Sequence, residues 1–296
     1  MSKGTQRYAV VTDSYNEIGF ETVKLLASKG TNVVLTARDE KKGLESVEKL
    51  KQLGLPGQVL FHKLDLTDPA SIASLADFIK TQFGKLDILV NKETIPGVVL
   101  NQDAFVKAFE QSGNTWPAEK YWNEIQGEQS YELAEECLKT NYYGAKGMIE
   151  QLLPLLQLSD SPTIANVSAP LGMLRNLPIE SAKEILGDVE NLTVEKVDEV
   201  LTEFMKEYKQ GKRWPSATYY MTAYRFSKAA LNAYTRMLAK KYPNVCVNCV
   251  SLGYVKSDLT CYTGFLTAEE GAQNLLNLAD EKTSGVFLSP KGLLSF

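Results

Sequence analysis

RYAVVTDSYNEIGFETVKLLASKG, residues 7–30, is the passage from which the fold is read. Its first six residues are a short apolar run, the pattern of a buried strand. From Ile18 the apolar positions recur at helical spacing until Gly30 ends them. The residues between join a first strand to a first helix. At such a junction the free backbone N–H groups and the helix dipole attract phosphate, and glycines let a diphosphate approach the main chain. Here Asp13 and Glu17 stand in the loop, and only Gly19 fits the glycine pattern.

Working outward, NVVLTA (32–37) reads as a second strand, followed by a helical pattern over 40–53. QVLFHKL (58–64) is a third strand. A helix over 69–83 begins at Asp68-Pro69, and LDILVN (86–91) is a fourth strand. Strands alternating with helices of 10–15 residues predict a parallel sheet with right-handed crossovers and both faces covered, a doubly wound α/β fold. Residues 95–130 read as polar and irregular, with Trp116 and Trp122. A long helix follows over 130–157, then the strand TIANVS (163–168) and inserted helices over 178–211. A helix over 222–241, the strand VCVNCV (245–250), a short helix over 267–278 and GVFLS (285–289) complete the pattern. We expect one domain over 1–296, without internal repeats.

Composition narrows the function. The 296 residues carry a formal net charge of −4 and 44% hydrophobic residues, enough for a sizeable core without a general pull toward nucleic acid or anionic membrane. No run of about 18 apolar residues is present to span a bilayer, and residues 1–7 lack a signal-peptide core. A cytoplasmic protein is expected, binding neither nucleic acid nor membrane. Four cysteines suit reduced thiols. Cys246 and Cys249 form a CxxC, but positions three apart on a strand face opposite ways, so they read as core residues and no metal site is expected. His62, the only histidine, reads as a loop residue near a sheet edge.

Several local motifs, in order, carry a resemblance: LTARD (35–39), LDLTD (64–68), FGKLDILVN (83–91), TNYYG (140–144), and YRFSK (224–228) followed by AALNAYTRMLAKKYP. The chain resembles the short-chain dehydrogenase/reductase family over nearly its whole length. It is most similar to the plant branch of large, mostly monomeric members that includes salutaridine and menthone reductases. The resemblance implies a Rossmann fold with a helical flap over about 170–220. That flap covers a surface used by smaller relatives to oligomerise, so a monomer acting on a small molecule is expected.

Tyr224 and Lys228 lie four apart on a helix and share a face, where an ammonium beside a phenol favours phenolate. In the family this pair is the acid/base unit, and Asn141 matches the asparagine of a water relay to the lysine. The family's carbonyl-binding serine falls on Ala169, which has no donor; adjacent Ser168 is expected to point elsewhere. On the cofactor side, Arg38 matches the residue receiving the 2′-phosphate of NADPH, Asp65 the one meeting adenine, and Gly19 and Asn91 keep their positions.

Other positions depart. The family's TGxxxGIG is TDSYNEIG here, its NNAG is Asn91-Lys92-Glu93-Thr94, and its PG is Leu252-Gly253. A like-charge pair at about 4 Å costs on the order of 4 kcal/mol at an effective dielectric of 20, so Asp13 and Glu17 are expected to oppose a diphosphate. Ser14 and Glu17 also fit a capping box that would occupy the phosphate-binding N–H groups. Alternatively the acids attract a cation, or a rearranged loop still binds the cofactor. The preferred expectation is a non-redox acid/base enzyme, an isomerase, cyclase or lyase, with no cofactor favoured. The alternatives are an NADPH-dependent carbonyl reductase of terpenoid or alkaloid metabolism and a binding protein without chemistry.

Overall fold

The computed structural model describes residues 6–15, 17–127, 129–211, 220–279 and 283–296. The first half alternates β1 (Tyr8–Val11), α1 (Glu17–Ser28), β2 (Asn32–Ala37), α2 (Glu40–Gln52), β3 (Val59–Lys63), α3 (Pro69–Phe83) and β4 (Ile88–Asn91). Next come α4 (Gln102–Gln111), the short α5 (Trp122–Ile125), and α6 (Tyr131–Leu138), which runs through a π-helical turn (Lys139–Gly144) into α7 (Ala145–Leu156). After β5 (Thr163–Val167) follow α8 (Glu180–Gly187), α9 (Val194–Lys209), α10 (Thr222–Lys241), β6 (Cys246–Val250), α11 (Ala268–Ala279), β7 (Phe287–Ser289) and β8 (Gly292–Leu294).

The strands form one sheet in the order β3-β2-β1-β4-β5-β6-β7-β8. All pairs are parallel except the closing β7–β8 pair. Alternation along each strand divides its side chains between two cores. Val10, Val34, Leu89 and Ile164 enter the core shared with α3, α6, α7, α9 and α10. Ala9, Val11, Val33, Leu35, Ile88 and Val90 enter the other, with Val23 of α1, Leu50 of α2 and Leu275 of α11. That is why these strands read as continuous apolar runs. The strand order reverses between β1 and β4, and the loops leaving their C-terminal ends border the crevice where such sheets bind ligands.

Local signals set several boundaries. Asp68 caps α3 by accepting from Ala70 N–H, Pro69 opens it, and Gly84 closes it in the left-handed region. Segment 95–130 departs from its irregular reading: Asn101 caps α4, and Phe105, Trp116 and Trp122 pack edge to face. His62 lies within β3, not a loop, on the edge strand, with its ring against Phe78. Cys249 packs on Thr235 while Cys246 turns to the Thr283 carbonyl, as their spacing predicts. No helix among the described residues is long and apolar enough to cross a membrane.

The insertion starts with two 3₁₀ turns and continues through α8 and α9; its last part, 212–219, lies outside the described residues. Val197, Val200, Leu201 and Phe204 of α9 are buried, with Phe204 stacked on Phe226 of α10 at 4.2 Å. Asp198 accepts from Tyr142 Oη at 2.9 Å and Lys146 Nζ at 2.6 Å, anchoring α9 to the π turn and α7. Phe204→Ala should leave a cavity at this seam and destabilise the protein by about 3–5 kcal/mol. A urea titration checks this; an unchanged midpoint would mean α9 is not welded to α10.

Candidate active site

Tyr224 sits in the first turn of α10 and is only 4% exposed. Met221, which precedes the helix in a left-handed conformation, is pinned by its N–H to Gln126 Oε1 at 2.8 Å. One turn on, Lys228 is fully buried and donates to Thr94 Oγ1 at 2.9 Å and to the Val167 carbonyl at 2.8 Å. Its ammonium lies 5.8 Å from the centre of the Tyr224 ring. The shared face read from the sequence is therefore built, but its electrostatics differ. Burial pushes the Tyr224 phenol up from its ordinary range, and burial lowers Lys228 to about 8. Desolvation dominates at the phenol, so it is held in its protonated form rather than biased toward the phenolate expected from the helical pairing.

Asn141 lies in the π turn, a helical irregularity frequent at functional sites. Its Oδ1 accepts from Ile95 N–H, and its Nδ2 donates to the Ile95 carbonyl at 2.9 Å and to Ser227 Oγ at 3.0 Å. It holds the strand-exit loop of β4 against α10 and makes no direct bond to Lys228. Thr94, which sequence reading counted only as a departure from glycine, supplies a hydroxyl to the lysine. Ser168 Oγ donates to Asn232 Oδ1 at 2.7 Å, so it is turned into α10 as expected, and Ala169 follows in extended backbone with no donor to offer. Behind it, Gly172 passes so close to Lys228 that an added Cβ would stand 2.5 Å from the lysine Cβ.

The loop of residues 12–17 resolves the question of its acids. Asp13 and Glu17 both have positive φ, 46° and 45°, the backbone state for which glycine is the easy choice. Asp13 is not bare: Lys92 Nζ donates to its Oδ2 at 2.8 Å and to its carbonyl at 2.9 Å. Glu17 accepts from Tyr262 Oη at 2.9 Å. The expected capping box is not formed. Ser14 Oγ instead donates to the Val11 carbonyl and accepts from Thr36 N–H, because the loop is folded back onto β2. Gly19 is required: a Cβ there would meet Ser14 Cα at 2.6 Å and the Asp13 carbonyl at 2.7 Å.

On the adenosine side, Arg38 leaves the end of β2 half exposed, 3.7 Å from Glu93 and 3.9 Å from Glu136. Asp65 feels burial, which works to raise it, but the Thr67 hydroxyl and N–H donate to it and hold its carboxyl below the ordinary value. Asn91 Nδ2 donates to Asn166 Oδ1, while its own Oδ1 is buried without a hydrogen-bond partner among the described residues. Glu93 is pushed up to about 7, first by burial and then by the charge of Asp13, with Arg38 and Lys92 pulling the other way. These residues fit a nicotinamide dinucleotide: the left-handed loop and the close approach at Gly19 survive, and Asp13 is neutralised by its own lysine. Gly19, Asn91, Arg38 and Asp65 are the residues that would hold it.

A model of the short-chain dehydrogenase family matches residues 7–179. A short-chain dehydrogenase/reductase of Saponaria officinalis is 52% identical, covering 93% of this chain and 90% of its own. A (+)-neomenthol dehydrogenase of Arabidopsis thaliana is 49% identical with both chains fully covered. The structure of salutaridine reductase from Papaver somniferum superposes with a TM-score of 0.85 at 47% identity, over 95% of this chain and 99% of that one. These relatives overturn the expected isomerase, cyclase or lyase and the expected lack of a cofactor, since dehydrogenases and reductases so similar over whole chains do redox chemistry. The physical error lay in treating Asp13 and Glu17 as unpaired charges.

Glu93 makes a test of this crevice. Its proton is retained in the folded chain between pH 4.5 and 7, where the unfolded chain has released it, so its contribution to stability is full below 4.5 and is lost as pH rises to about 7. Relative to Glu93→Gln, the unmodified protein should therefore lose up to about 3 kcal/mol across that window and change little above it. Urea unfolding of both proteins at several pH values checks the sign.

Proposed function

The chain belongs to the short-chain dehydrogenase/reductase family, and from that premise we propose that it is an NADPH-dependent carbonyl reductase of small terpenoid- or alkaloid-type molecules. The observation that carries this reading is the buried Tyr224–Lys228 pair, with its phenol protonated and its lysine fixed by Thr94 and the Val167 carbonyl. NADPH supplies the hydride when bound. Tyr224 gives its proton to the carbonyl oxygen as that oxygen gains negative charge, the task of a general acid. Lys228, held by two bonds, stabilises the phenolate left behind and guides the return of a proton. Asn141 acts by keeping the Ile95 loop, and so Thr94, in place. Ala169 contributes no donor, so Tyr224 carries the polarisation of the carbonyl.

An apolar substrate suits the surroundings. Trp122 stacks on Tyr220 just before α10, Trp116 packs on Trp122 and Tyr254, and Tyr254 continues to Phe109 and Phe265. This aromatic run links segment 95–130 to the loop after β6. It offers ring faces to a hydrophobic skeleton and leaves the polar discrimination to the carbonyl. The chain acts as one domain and as a monomer in this reading, because α9 lies over α10 and α6 and buries Val197, Leu201 and Phe204 there.

With NADPH and a panel of cyclic ketones, Tyr224→Phe should lower turnover by about 10²–10⁴ while leaving the dissociation constant for NADPH within about twofold. NADPH at 100 times that constant should stabilise the fold by about 2.7 kcal/mol. Lack of any NADPH effect at millimolar concentration would defeat the proposal. Light scattering on the eluting protein should give the mass of a single 32.8 kDa chain; a dimer mass would refute the monomer.

A further inference from the structure

We propose that Lys92 is the diphosphate-binding side chain of this protein, a cation that does the work of the absent loop glycines and is aimed by Asp13. The inference rests on the dinucleotide reading above and assigns a residue that the family pattern, with asparagine at this position, does not supply.

Lys92 follows β4, at the point where the strand order reverses. Its backbone is stitched to the β1–α1 loop: Lys92 N–H and Glu93 N–H both donate to Thr12 Oγ1, at 2.8 and 3.1 Å. Its side chain then turns back over the same loop to Asp13. A lysine ammonium has three N–H donors. Two are used on the Asp13 carbonyl and carboxylate, and the third has no partner among the described residues. The side chain is 14% exposed, so it is restrained by the loop without being sealed from solvent. Through Asp13 it is held at the β1–α1 junction, the kind of strand-to-helix turn that receives phosphate.

The local charges explain why a cation is needed here. Asp13 and Glu93 put two acids at this junction, and Arg38 is drawn toward Glu93 and Glu136 on the adenosine side. Glu17 is engaged by Tyr262. Lys42 lies over the Tyr15 ring at 5.8 Å, whereas Lys92 is the cation hydrogen-bonded to the loop main chain and to Asp13. An entering diphosphate meets an ammonium already in register, whose bond to Asp13 sets its direction and whose remaining donor is available.

A merely neutralising lysine and a phosphate-binding lysine are separated by a double-mutant cycle read through binding. NADPH affinity is measured by its fluorescence enhancement for the unmodified protein, Lys92→Ala, Asp13→Asn and Asp13→Asn/Lys92→Ala, with circular dichroism verifying that each folds; Lys92→Arg serves as the conservative variant. Lys92→Ala should weaken NADPH at least tenfold and flatten the salt dependence of binding, Lys92→Arg should retain affinity, and Asp13→Asn should bind as well as or better than the unmodified protein. The decisive protein is the double variant, which should remain at least tenfold weak. Recovery there to the unmodified affinity would show that Lys92 only cancels Asp13 and would overturn the inference while leaving the reductase reading intact. Failure of the unmodified protein to bind NADPH would instead remove that reading, and this inference with it.

Discussion

The seam between β1 and β4 governs the site. These strands are neighbours in space, yet their paired residues, such as Ala9 and Ile88, are 79 positions apart in the chain, and the loops that leave them meet around Thr12. One hydroxyl receives two backbone N–H groups there, and one ion pair closes over the top. Because the pair is partly shielded from water, it is screened less by salt than an exposed one and is positioned by two bonds rather than one. Everything else at this end of the sheet is arranged relative to that seam: Thr94 follows it toward Lys228, Ile95 follows toward Asn141, and Glu93 is trapped beneath it.

The proton chemistry is organised by burial. Burial works against the charged form of each group, pushing the Tyr224 phenol up and bringing the Lys228 ammonium down. Lys228 gives two of its donors to Thr94 Oγ1 and the Val167 carbonyl and lies 5.8 Å from the Tyr224 ring, so in the proposed reaction it stands beside the phenolate that forms as the proton leaves. In the proposed reaction that charge pair exists only as the proton leaves, which is the differential stabilisation catalysis requires.

Much of this was legible locally. The helix Pro69–Phe83 could be read because Asp68 and Pro69 mark its start and Gly84 its end, and Thr222–Lys241 because its apolar spacing is uninterrupted. That Tyr224 and Lys228 share a face follows from helical spacing, while their role as a pair is what the family resemblance implies. What escaped was carried by contacts between distant segments. Lys92 and Asp13 are separated by 79 positions and Tyr262 and Glu17 by 245, so the charges of the loop looked uncompensated in one dimension. The π turn at Asn141 has no local sequence signature distinguishing it from an ordinary helix. Helix α4 was hidden in a polar stretch because its stability comes from Phe105 meeting Trp116 and Trp122, beyond its own span. The closing strand β8 is three residues long, too short for alternation to show.

Asp198 has a consequence of a different kind. A single carboxylate grips the inserted helix from behind, on the phenol of Tyr142 and the ammonium of Lys146, in the same π turn and following helix that carry Asn141. The aromatic run of Trp122, Trp116, Tyr254, Phe109 and Phe265 shares no residue with this grip. In the reductase reading, residues on that run can be exchanged and the repertoire of accepted molecules retuned while that bolt stays in place.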